Sequence, residues 1–399
     1  MGTAERAKGE ARGRVAARRE QLVALSHRIH SHPELAFEEH AAAAWVGEAL
    51  SDGGFEVETG IADLPTALRA TAGSGPVRIA FCAEYDALPE VGHACGHNVI
   101  AAAAVGAGIA LAALADDLGL TVQVLGTPAE ESGGGKVLML RRGAFDDVHA
   151  AIMVHPASYE SKTMDTLAVS HFRVRYSGRE AHASMHPELG VNAADALVVS
   201  QVAIGLLRQH LNDGDQVHGI VTHGGDAPNV VPASTEAQYL ARARTLDELD
   251  RLIPRIEACF QAGAVATGAE VAIEPVSPRY SELREHSLLA DRYVRNATEL
   301  GRSFPDRTGA RPGGSTDMAN VTLALPAIHP MMDIDSLPAV NHQPGFTAAA
   351  VAAAADKALL DGAIAMAWTA VDAATDERLT EDLRRRAEER ATGGGAKKT

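Results

Sequence analysis

The stretch at residues 93–98, His-Ala-Cys-Gly-His-Asn, is the feature that most restricts what this chain can fold into. An apolar run, Val77–Cys82, precedes it and predicts a buried strand, and an Ala-rich run over 99–114 predicts a buried helix. The motif therefore lies on a strand-to-helix loop, where open α/β sheets place their chemistry. Cysteine and histidine at i and i+2 converge only if the backbone turns tightly, which Gly96 permits, and both bind transition metals well. The alternative is that the cysteine is a small buried hydrophobe and the histidine an ordinary hydrogen-bonded residue.

A second motif, Thr127-Pro128-Ala129-Glu130-Glu131, follows an apolar run over 121–125, which predicts another buried strand. Like charges placed close together raise the pKa of one of the two carboxyl groups unless a cation compensates them. A metal pair would do so, with one carboxylate as ligand and the other as base. The alternative is a helix N-terminus that sets glutamates against the helix dipole. The following Gly133-Gly134-Gly135-Lys136 is not a phosphate-binding loop, because it lacks the GxxxxGK[ST] spacing and has Val137 where Ser or Thr is needed.

Two further histidines follow predicted strands. His155 comes directly after the apolar run 151–154, and His342 lies in a loop beyond the strand that ends near Met332. Strand ends are favoured positions for functional side chains in an α/β sheet. Together with the first two motifs, these histidines complete a set of five candidate ligands, and Glu130 stands outside the set. Five ligands are enough for two metal ions that share one of them. The five are Cys95, His97, Glu131, His155 and His342.

Composition limits the partners of this 399-residue chain. Its formal charge is −16, from 36 basic and 52 acidic residues, and without a basic stripe this argues against a nucleic acid partner. Its three cysteines, Cys82, Cys95 and Cys259, provide no disulfide framework and are typical of a reducing compartment, so we expect a cytoplasmic protein. The N-terminus lacks a signal peptide's apolar core, and no uncharged apolar run approaches about 20 residues, so no membrane partner is expected.

The order of predicted elements divides the chain into two domains. Up to residue 167, strands alternate with helices, which predicts an α/β fold with a mostly parallel sheet. Over 168–277 the order becomes βαββαβ, which is typical of a ferredoxin-like insert with one open sheet. We therefore expect a discontinuous metal-binding catalytic domain at 1–167 and 278–379, and a lid and dimerisation domain at 168–277. The charged tail at 380–399, with three consecutive glycines, is predicted to be disordered.

Several separated motifs, spread over about residues 20–375, resemble the M20 family of metallopeptidases and amidohydrolases. They fall in the family's order: Asp86-Ala87-Leu88-Pro89, His93–His97, Pro128–Glu131, and Asn341-His342 before Phe346. The Cys-Gly-His motif resembles the subgroup of aminobenzoyl-glutamate, auxin-conjugate and N-acyl amino acid hydrolases. Asn98, and the run 314–321 ahead of Ile328-His329-Pro330, resemble the M20 domain-containing 2 branch, which has dipeptidase-like members.

The resemblance implies roles for the residues at the metal site. Cys95 bridges or ligates the metals, and the other members of the set complete the coordination: His97, Glu131, His155 and His342. Glu130 is the general base, and Asp86 orients a metal ligand. One residue departs from the family pattern, because Glu84 stands where other M20 branches carry a metal-binding histidine. His97 takes over that ligand's place, which leaves the role of Glu84 open.

The resemblance also implies residues that bind the substrate. His182 would reach across a homodimer of lid domains to stabilise the oxyanion. Asn229 and Arg242 would hold the substrate carboxylate, with Arg244 as the alternative to Arg242. Gly314, Ser315 and Thr316 would complete the substrate-binding residues.

The chemistry that follows is metal-dependent amide hydrolysis with two divalent ions, Zn or Mn. Cysteine favours zinc, and the oxygen and imidazole ligands also accept manganese. The metals would lower the pKa of a bound water and polarise the scissile carbonyl, and Glu130 would carry the proton to the leaving amine. The substrate stays open among N-acyl amino acids, aminobenzoyl-glutamate-like compounds and dipeptides, including unusual ones.

Two other classes of function compete with this interpretation. In a cysteine hydrolase Cys95 would be the nucleophile and a histidine its base, which leaves the two glutamates and the strand-end histidines without a role. In a non-catalytic binding protein on the same scaffold we would expect a ligand or Glu130 to be missing, and none is.

Overall fold

The computed structural model describes residues 2–307 and 314–393 of the chain. These form two compact units. The first draws on Met1–Asp165, Leu283–Pro312 and Thr316–Thr399, and the second on Thr166–Glu282 and Gly313–Ser315. No helix among the described residues is both long and apolar enough to cross a membrane.

The first unit contains a six-stranded sheet in the order β1-β2-β4-β3-β5-β11. Its strands are β1 (Glu56–Thr59), β2 (Leu68–Ala72), β3 (Val77–Ala83), β4 (Leu120–Gly126), β5 (Ala150–Ile152) and β11 (Ala327–Ile328). The four strands from β4 to β11 run parallel, and β1 and β2 add an antiparallel edge. β3 and β4 are buried almost throughout, as expected for parallel strands covered on both faces. The predicted mostly parallel α/β fold is confirmed.

Ten of the α-helices in the described part of the chain belong to this unit, along with a two-stranded parallel sheet of β6 and β12. Helix α4, at the centre, is rich in alanine and glycine because it is buried on nearly every side. The elements are α1 (Thr3–Ala17), α2 (Arg19–His30), α3 (His40–Asp52), α4 (His97–Ala112), α5 (Gly135–Arg141), β6 (His155–Ala157), α8 (Ser287–Glu299), α9 (Met318–Ala324), β12 (Met331–Asp333), α10 (Pro344–Ala349), α11 (Ala353–Thr375) and α12 (Glu377–Ala391).

The second unit has the predicted βαββαβ order. Its elements are β7 (Ala168–Ser177), α6 (Ala193–Leu207), β8 (Gln216–His223), β9 (Ser234–Ala243), α7 (Leu246–Thr267) and β10 (Glu270–Pro275). The sheet order β10-β7-β9-β8, antiparallel throughout, is that of a ferredoxin-like fold. Alternate residues of β9 are buried, and in the core of this unit Phe172 stacks on Tyr239 while Phe260 meets both rings edge-on.

The predicted disorder at 380–399 is wrong for most of that segment. Helix α12 extends to Ala391, and Leu379 and Leu383 are buried in the core of the first unit. The Asp376 side chain caps the helix, and Asp382 contacts His286 at 2.7 Å. The prediction of disorder rested on the charged composition and overlooked two leucines four residues apart. Burial of these two side chains on one face is enough to pack the helix against the core. Residues 394–399 lie outside the described part of the chain.

Candidate metal centre

The Cys-Gly-His motif lies where β3 gives way to α4. Gly96 is the N-cap of α4 with φ 80°, a left-handed conformation that favours glycine. A Cβ atom there would lie 2.5 Å from the Pro156 side chain, so the turn needs glycine for space as well as for conformation. The turn makes His97 the first residue of α4, and both His97 and Cys95 are buried.

Asp86 fixes the orientation of His97. The Nδ1 atom of His97 lies 2.9 Å from Asp86 Oδ1 and 2.9 Å from the Asp86 carbonyl oxygen, and it donates there. The other oxygen of the same carboxylate accepts from the backbone N–H of Glu131 at 3.0 Å. One buried carboxylate therefore aligns two candidate ligands and leaves His97 Nε2 facing the centre, as partners of metal-binding histidines do.

His155 is oriented in the same way by the backbone. Its Nδ1–H donates to the Pro156 carbonyl at 2.8 Å, and its Nε2 lies 3.4 Å from Cys95 Sγ. Burial lowers the pKa of His155 to about 3, so the ring is neutral and can act as a ligand. Asn341 donates to the same carbonyl at 3.2 Å.

The two glutamates lie on a turn that is held by a side chain the sequence interpretation missed. Ala129 has φ 59°, and its N–H donates to the buried Glu39 carboxylate at 2.8 Å. Gly135 passes so close to this turn that a Cβ atom would lie 1.8 Å from the Pro128 oxygen. The Gly133–Gly135 run therefore serves tight packing and not phosphate binding.

His342 comes to the centre from the loop after β12. The backbone N–H of His342 donates to the Ala94 carbonyl at 2.8 Å, and the ring atom Nε2 lies 3.6 Å from Glu131 Oε2. Its φ of 69° is unusual for a residue other than glycine. The His342 side chain is 58% exposed, whereas that of Glu131 is 8% exposed, so this end of the centre opens to solvent.

These side chains form overlapping groups with the geometry of a metal site. Within each group, one ligand atom per residue lies within 4.8 Å of the others, and two of the groups share Cys95. The groups are Cys95–His97–His155, Cys95–Glu131–His342 and Glu84–His97–Glu130. The structure therefore brings together all five ligands predicted from the sequence, with Glu130 beside them.

The centre has unpaired buried atoms and excess negative charge, as a cation site should. In the described part of the chain, three buried atoms here lack a hydrogen-bond partner: His97 Nε2, Glu84 Oε2 and Glu131 Oε1. The centre and its immediate surroundings contain one ammonium, that of Lys136, and five carboxyl side chains. The five carboxyl side chains are those of Glu84, Asp86, Glu130, Glu131 and Asp317. Such an imbalance in a buried site is costly unless cations compensate it, and divalent metal ions fit this donor set.

The pKa shifts agree with that conclusion. Burial and the Glu131 charge raise the pKa of the Cys95 thiol well above its usual range, and burial raises the pKa of Glu130 with help from Glu131 and Glu84. Burial opposes a charge on His97, yet the Asp86 carboxylate raises the pKa of His97 well above its usual range. A metal ion replaces such protons, because thiolate, carboxylate and neutral imidazole are the forms that bind it.

Lys136 and Asp317 were not recognised as site residues from the sequence. Both are fully buried, and Lys136 Nζ contacts Glu84 and lies 2.8 Å from Asp317 Oδ1. Asp317 also accepts from the backbone N–H of Lys136 at 2.8 Å. The Gly-Ser-Thr-Asp motif contained Asp317, but no spacing rule indicates which distant lysine it would meet.

The second unit carries His182 and Asn229, which lie near each other in adjacent segments. His182 forms a backbone bridge with Val230, and its Nδ1 accepts from the N–H groups of Ser184 and Met185 at 3.3 Å. The Asn229 carbonyl accepts from Ala183 N–H at 3.0 Å. Both side chains belong to exposed residues.

Arg242 and Arg244 differ in their surroundings. Arg242 is partly buried and donates to Ser315 Oγ at 2.8 Å, and in the described ranges no carboxylate pairs with it. Ser315 Oγ in turn donates to the Leu167 carbonyl at 2.7 Å, and the Gly314 carbonyl accepts from Leu167 N–H. Arg244 is exposed and contacts Asp213.

Thr316 belongs to the first unit. It is buried, and its hydroxyl accepts from Met318 N–H at 3.1 Å at the start of α9.

Comparison with known proteins places this site in a family. The sequence profile of Peptidase family M20/M25/M40 matches residues 80–360. The chain is 40% identical over 387 residues to the "Xaa-Arg dipeptidase" of Mus musculus, covering 92% of this chain and 88% of that protein. It is 36% identical over 390 residues to the "Xaa-Arg dipeptidase" of Homo sapiens, with the same coverage of 92% and 88%.

Solved structures show the same fold. An "Aminobenzoyl-glutamate utilization protein" from Klebsiella pneumoniae superposes with a TM-score of 0.69 at 21% identity, covering 88% of this chain and 96% of that one. A "Dinuclear Metal Binding Peptidase from M20 Family" of Bacillus subtilis superposes with a TM-score of 0.66 at 20% identity, covering 89% and 99%. The chain therefore belongs to Peptidase family M20/M25/M40, and it is a metal-dependent peptidase or amidohydrolase.

Proposed function

We propose that this protein is a two-metal dipeptidase whose substrates end in a basic residue with a free α-carboxylate. The observation that carries the proposal is the position of Cys95, which two ligand groups share while Glu130 lies beside them. Cys95 would supply a thiolate to both ligand groups, and its softness favours zinc, although manganese also suits the imidazole and carboxylate ligands.

In this mechanism the chain's own residues position the reactants and move the proton. Bound divalent ions supply Lewis acidity toward the scissile carbonyl and lower the pKa of water. The Glu130 carboxyl lies 3.8 Å from His97 Nε2 on the Ala129 turn, so it can take a proton from water and pass it to the leaving amine. Asp86 holds His97 and Glu131 in place while this occurs.

A chelator separates this proposal from a cysteine hydrolase. Removing metal should abolish hydrolysis, and added zinc or manganese should restore it. A thiol enzyme would keep its activity in the chelator and would lose it to an alkylating reagent.

The preference for a basic residue rests on similarity and on charge. The mouse relative named for Xaa-Arg dipeptides is 40% identical over nearly the whole chain. The net charge of −16 favours the approach of cationic substrates. We expect dipeptides ending in Arg or Lys to give a higher kcat/KM than the same dipeptides ending in Glu or Ala. Faster hydrolysis of p-aminobenzoyl-glutamate than of any basic dipeptide would overturn this choice of substrate.

Arg242 is our candidate for binding the substrate carboxylate. Its guanidinium is partly buried and bonded to a serine, so it has donors to offer, whereas Arg244 is already paired with Asp213. A lost charged hydrogen bond is worth about 1.5–3 kcal/mol, or about ten- to a hundredfold in kcat/KM. Arg242→Ala should lose that much on the free acid and little on the methyl ester, while Arg244→Ala should lose little on either. Equal losses on acid and ester would refute this role.

We further propose that the protein is a homodimer through the second unit, with His182 serving the partner's site as an oxyanion stabiliser. Strand β8 is an edge of its sheet and exposes Ile220 at 66%. Helix α6 exposes Val202 at 58% and Leu206 at 70%, four residues apart on one stripe. Exposed edges and apolar stripes of this kind favour pairing with a second copy across a two-fold axis. Sedimentation should give a dimer, and Val202→Glu should give a folded monomer.

A further inference from the structure

Glu84 occupies an unusual position for a residue with no assigned role. It follows β3 directly, and its side chain is fully buried. One oxygen, Oε1, accepts from the Lys136 ammonium. The other, Oε2, has no hydrogen-bond partner in the described part of the chain and lies 3.4 Å from His97 Nε2.

The Lys136 ammonium does not by itself balance the carboxylates that it contacts. Lys136 Nζ lies between the Glu84 and Asp317 carboxylates, and all three side chains are fully buried. The two carboxylates and the single Lys136 ammonium together carry a net charge of −1, and an uncompensated buried charge is strongly destabilising. The free oxygen of Glu84 faces the candidate metal centre, whereas both Asp317 oxygens are bonded to Lys136. The excess charge therefore faces the centre.

The distance between Glu84 Oε2 and His97 Nε2 is the one expected for two ligand atoms of the same metal ion. Two ligand atoms at about 2.0–2.1 Å from one ion, at a tetrahedral angle, lie about 3.3–3.4 Å apart. The Glu84 Oε2 to His97 Nε2 distance is 3.4 Å. The nearest carboxylate oxygens of Glu130 and Glu131 lie at 3.8 Å from His97 Nε2.

We propose that Glu84 is a further ligand of the ion that His97 would hold, and that Lys136 and Asp317 position it. The inference rests on the proposed two-metal centre and adds a protein ligand to it. Asp317 bonds both the side chain and the backbone N–H of Lys136, so the ammonium cannot turn away and Glu84 keeps one oxygen free. Lys136 and Asp317 are positioning residues, since they act through Glu84.

The test compares two variants that remove the same charge from the same lysine. Glu84→Gln removes the proposed ligand, and Asp317→Asn removes a carboxylate whose two oxygens both bond to Lys136. Each variant retains one carboxylate to pair with the Lys136 ammonium, so we expect both variants to fold. Thermal melts of the metal-free proteins would check this. The readouts are zinc affinity and stoichiometry by competition with a chelator of known affinity, and the visible spectrum of the cobalt-substituted proteins.

We expect Glu84→Gln to bind one of its zinc ions about 10–100-fold more weakly and to change the cobalt spectrum. Asp317→Asn keeps the proposed ligand and disturbs only its positioning, so it should weaken zinc binding less than Glu84→Gln does and change the cobalt spectrum less. Equal weakening in the two variants, or parent-like binding in both, would overturn the proposal. If Glu84→Gln does not fold, Glu84→Asp keeps the charge but retracts the oxygen, and parent-like zinc affinity there would also overturn it. If the parent enzyme hydrolyses dipeptides when metal is added but Glu84→Gln binds zinc as the parent does, the ligand role of Glu84 is refuted and the proposed function is not.

Discussion

Asp86→Asn is the substitution that best tests how the centre is assembled. The carboxylate accepts from His97 Nδ1 through one oxygen, at 2.9 Å, and from Glu131 N–H through the other, at 3.0 Å. Asparagine has the same shape but only one acceptor oxygen. In either orientation of the amide one of these bonds is lost, and an NH₂ group faces an N–H donor.

The magnitude follows from that geometry. Losing a hydrogen bond to a charged group costs about 1.5–3 kcal/mol, and about 1.4 kcal/mol corresponds to a factor of ten. Zinc affinity should therefore fall about 10–100-fold, as is usual when a partner that orients metal ligands is changed. The lower end applies if the amide turns its NH₂ toward His97, because His97 Nδ1 also contacts the Asp86 carbonyl at 2.9 Å, which asparagine retains.

The assay is a competitive zinc titration, with Asp116→Asn as the matched control. Asp116 also accepts two hydrogen bonds, both from Ser74, but it is exposed and lies on the loop before β4, at the opposite end of that strand from Glu131. The control should bind zinc as the parent does. Parent-like zinc affinity in Asp86→Asn, or equal weakening in the two variants, would refute the proposed role of Asp86.

Three further predictions follow from the geometry. Glu130→Gln should retain its metal and lose at least about 10²-fold in kcat, because the amide cannot take a proton; metal analysis beside kinetics checks this, and loss of the metal would contradict it. Gly96→Ala should destabilise the protein by about 1–3 kcal/mol in urea unfolding, since its Cβ would meet Pro156 at 2.5 Å at a φ of 80°. Its control is Gly205→Ala in α6, which has open space around it and should be neutral or stabilising. Mixing inactive His182→Ala with inactive Glu130→Gln should restore activity in mixed dimers, and no recovery would exclude a role for His182 in the partner's site.

The sequence by itself determined the fold class and predicted the set of candidate metal ligands. Period-two and apolar runs marked the strands, and the buried character of β3 and β4 predicted a parallel core because both faces must be covered. The carboxyl ends of parallel strands meet at one edge, so chemistry-bearing residues after each strand had to lie close together. Residues as distant as Cys95 and His342 were assigned to one site on that basis, and the structure brings both into one candidate ligand group.

Only the tertiary structure decided which residues support that set. Glu39, Lys136 and Asp317 are charged residues, and nothing in their local spacing indicates that they are buried. Lys136 and Asp317 meet because the starts of α5 and α9 lie together, and Glu39 reaches Ala129 from the start of α3, so each contact joins distant parts of the chain. Helix α12 was missed for the same reason, because two leucines among many charges are buried only where a core surface receives them. Periodicity specifies which face of an element is apolar, while the partner of each buried charge is set by long-range packing.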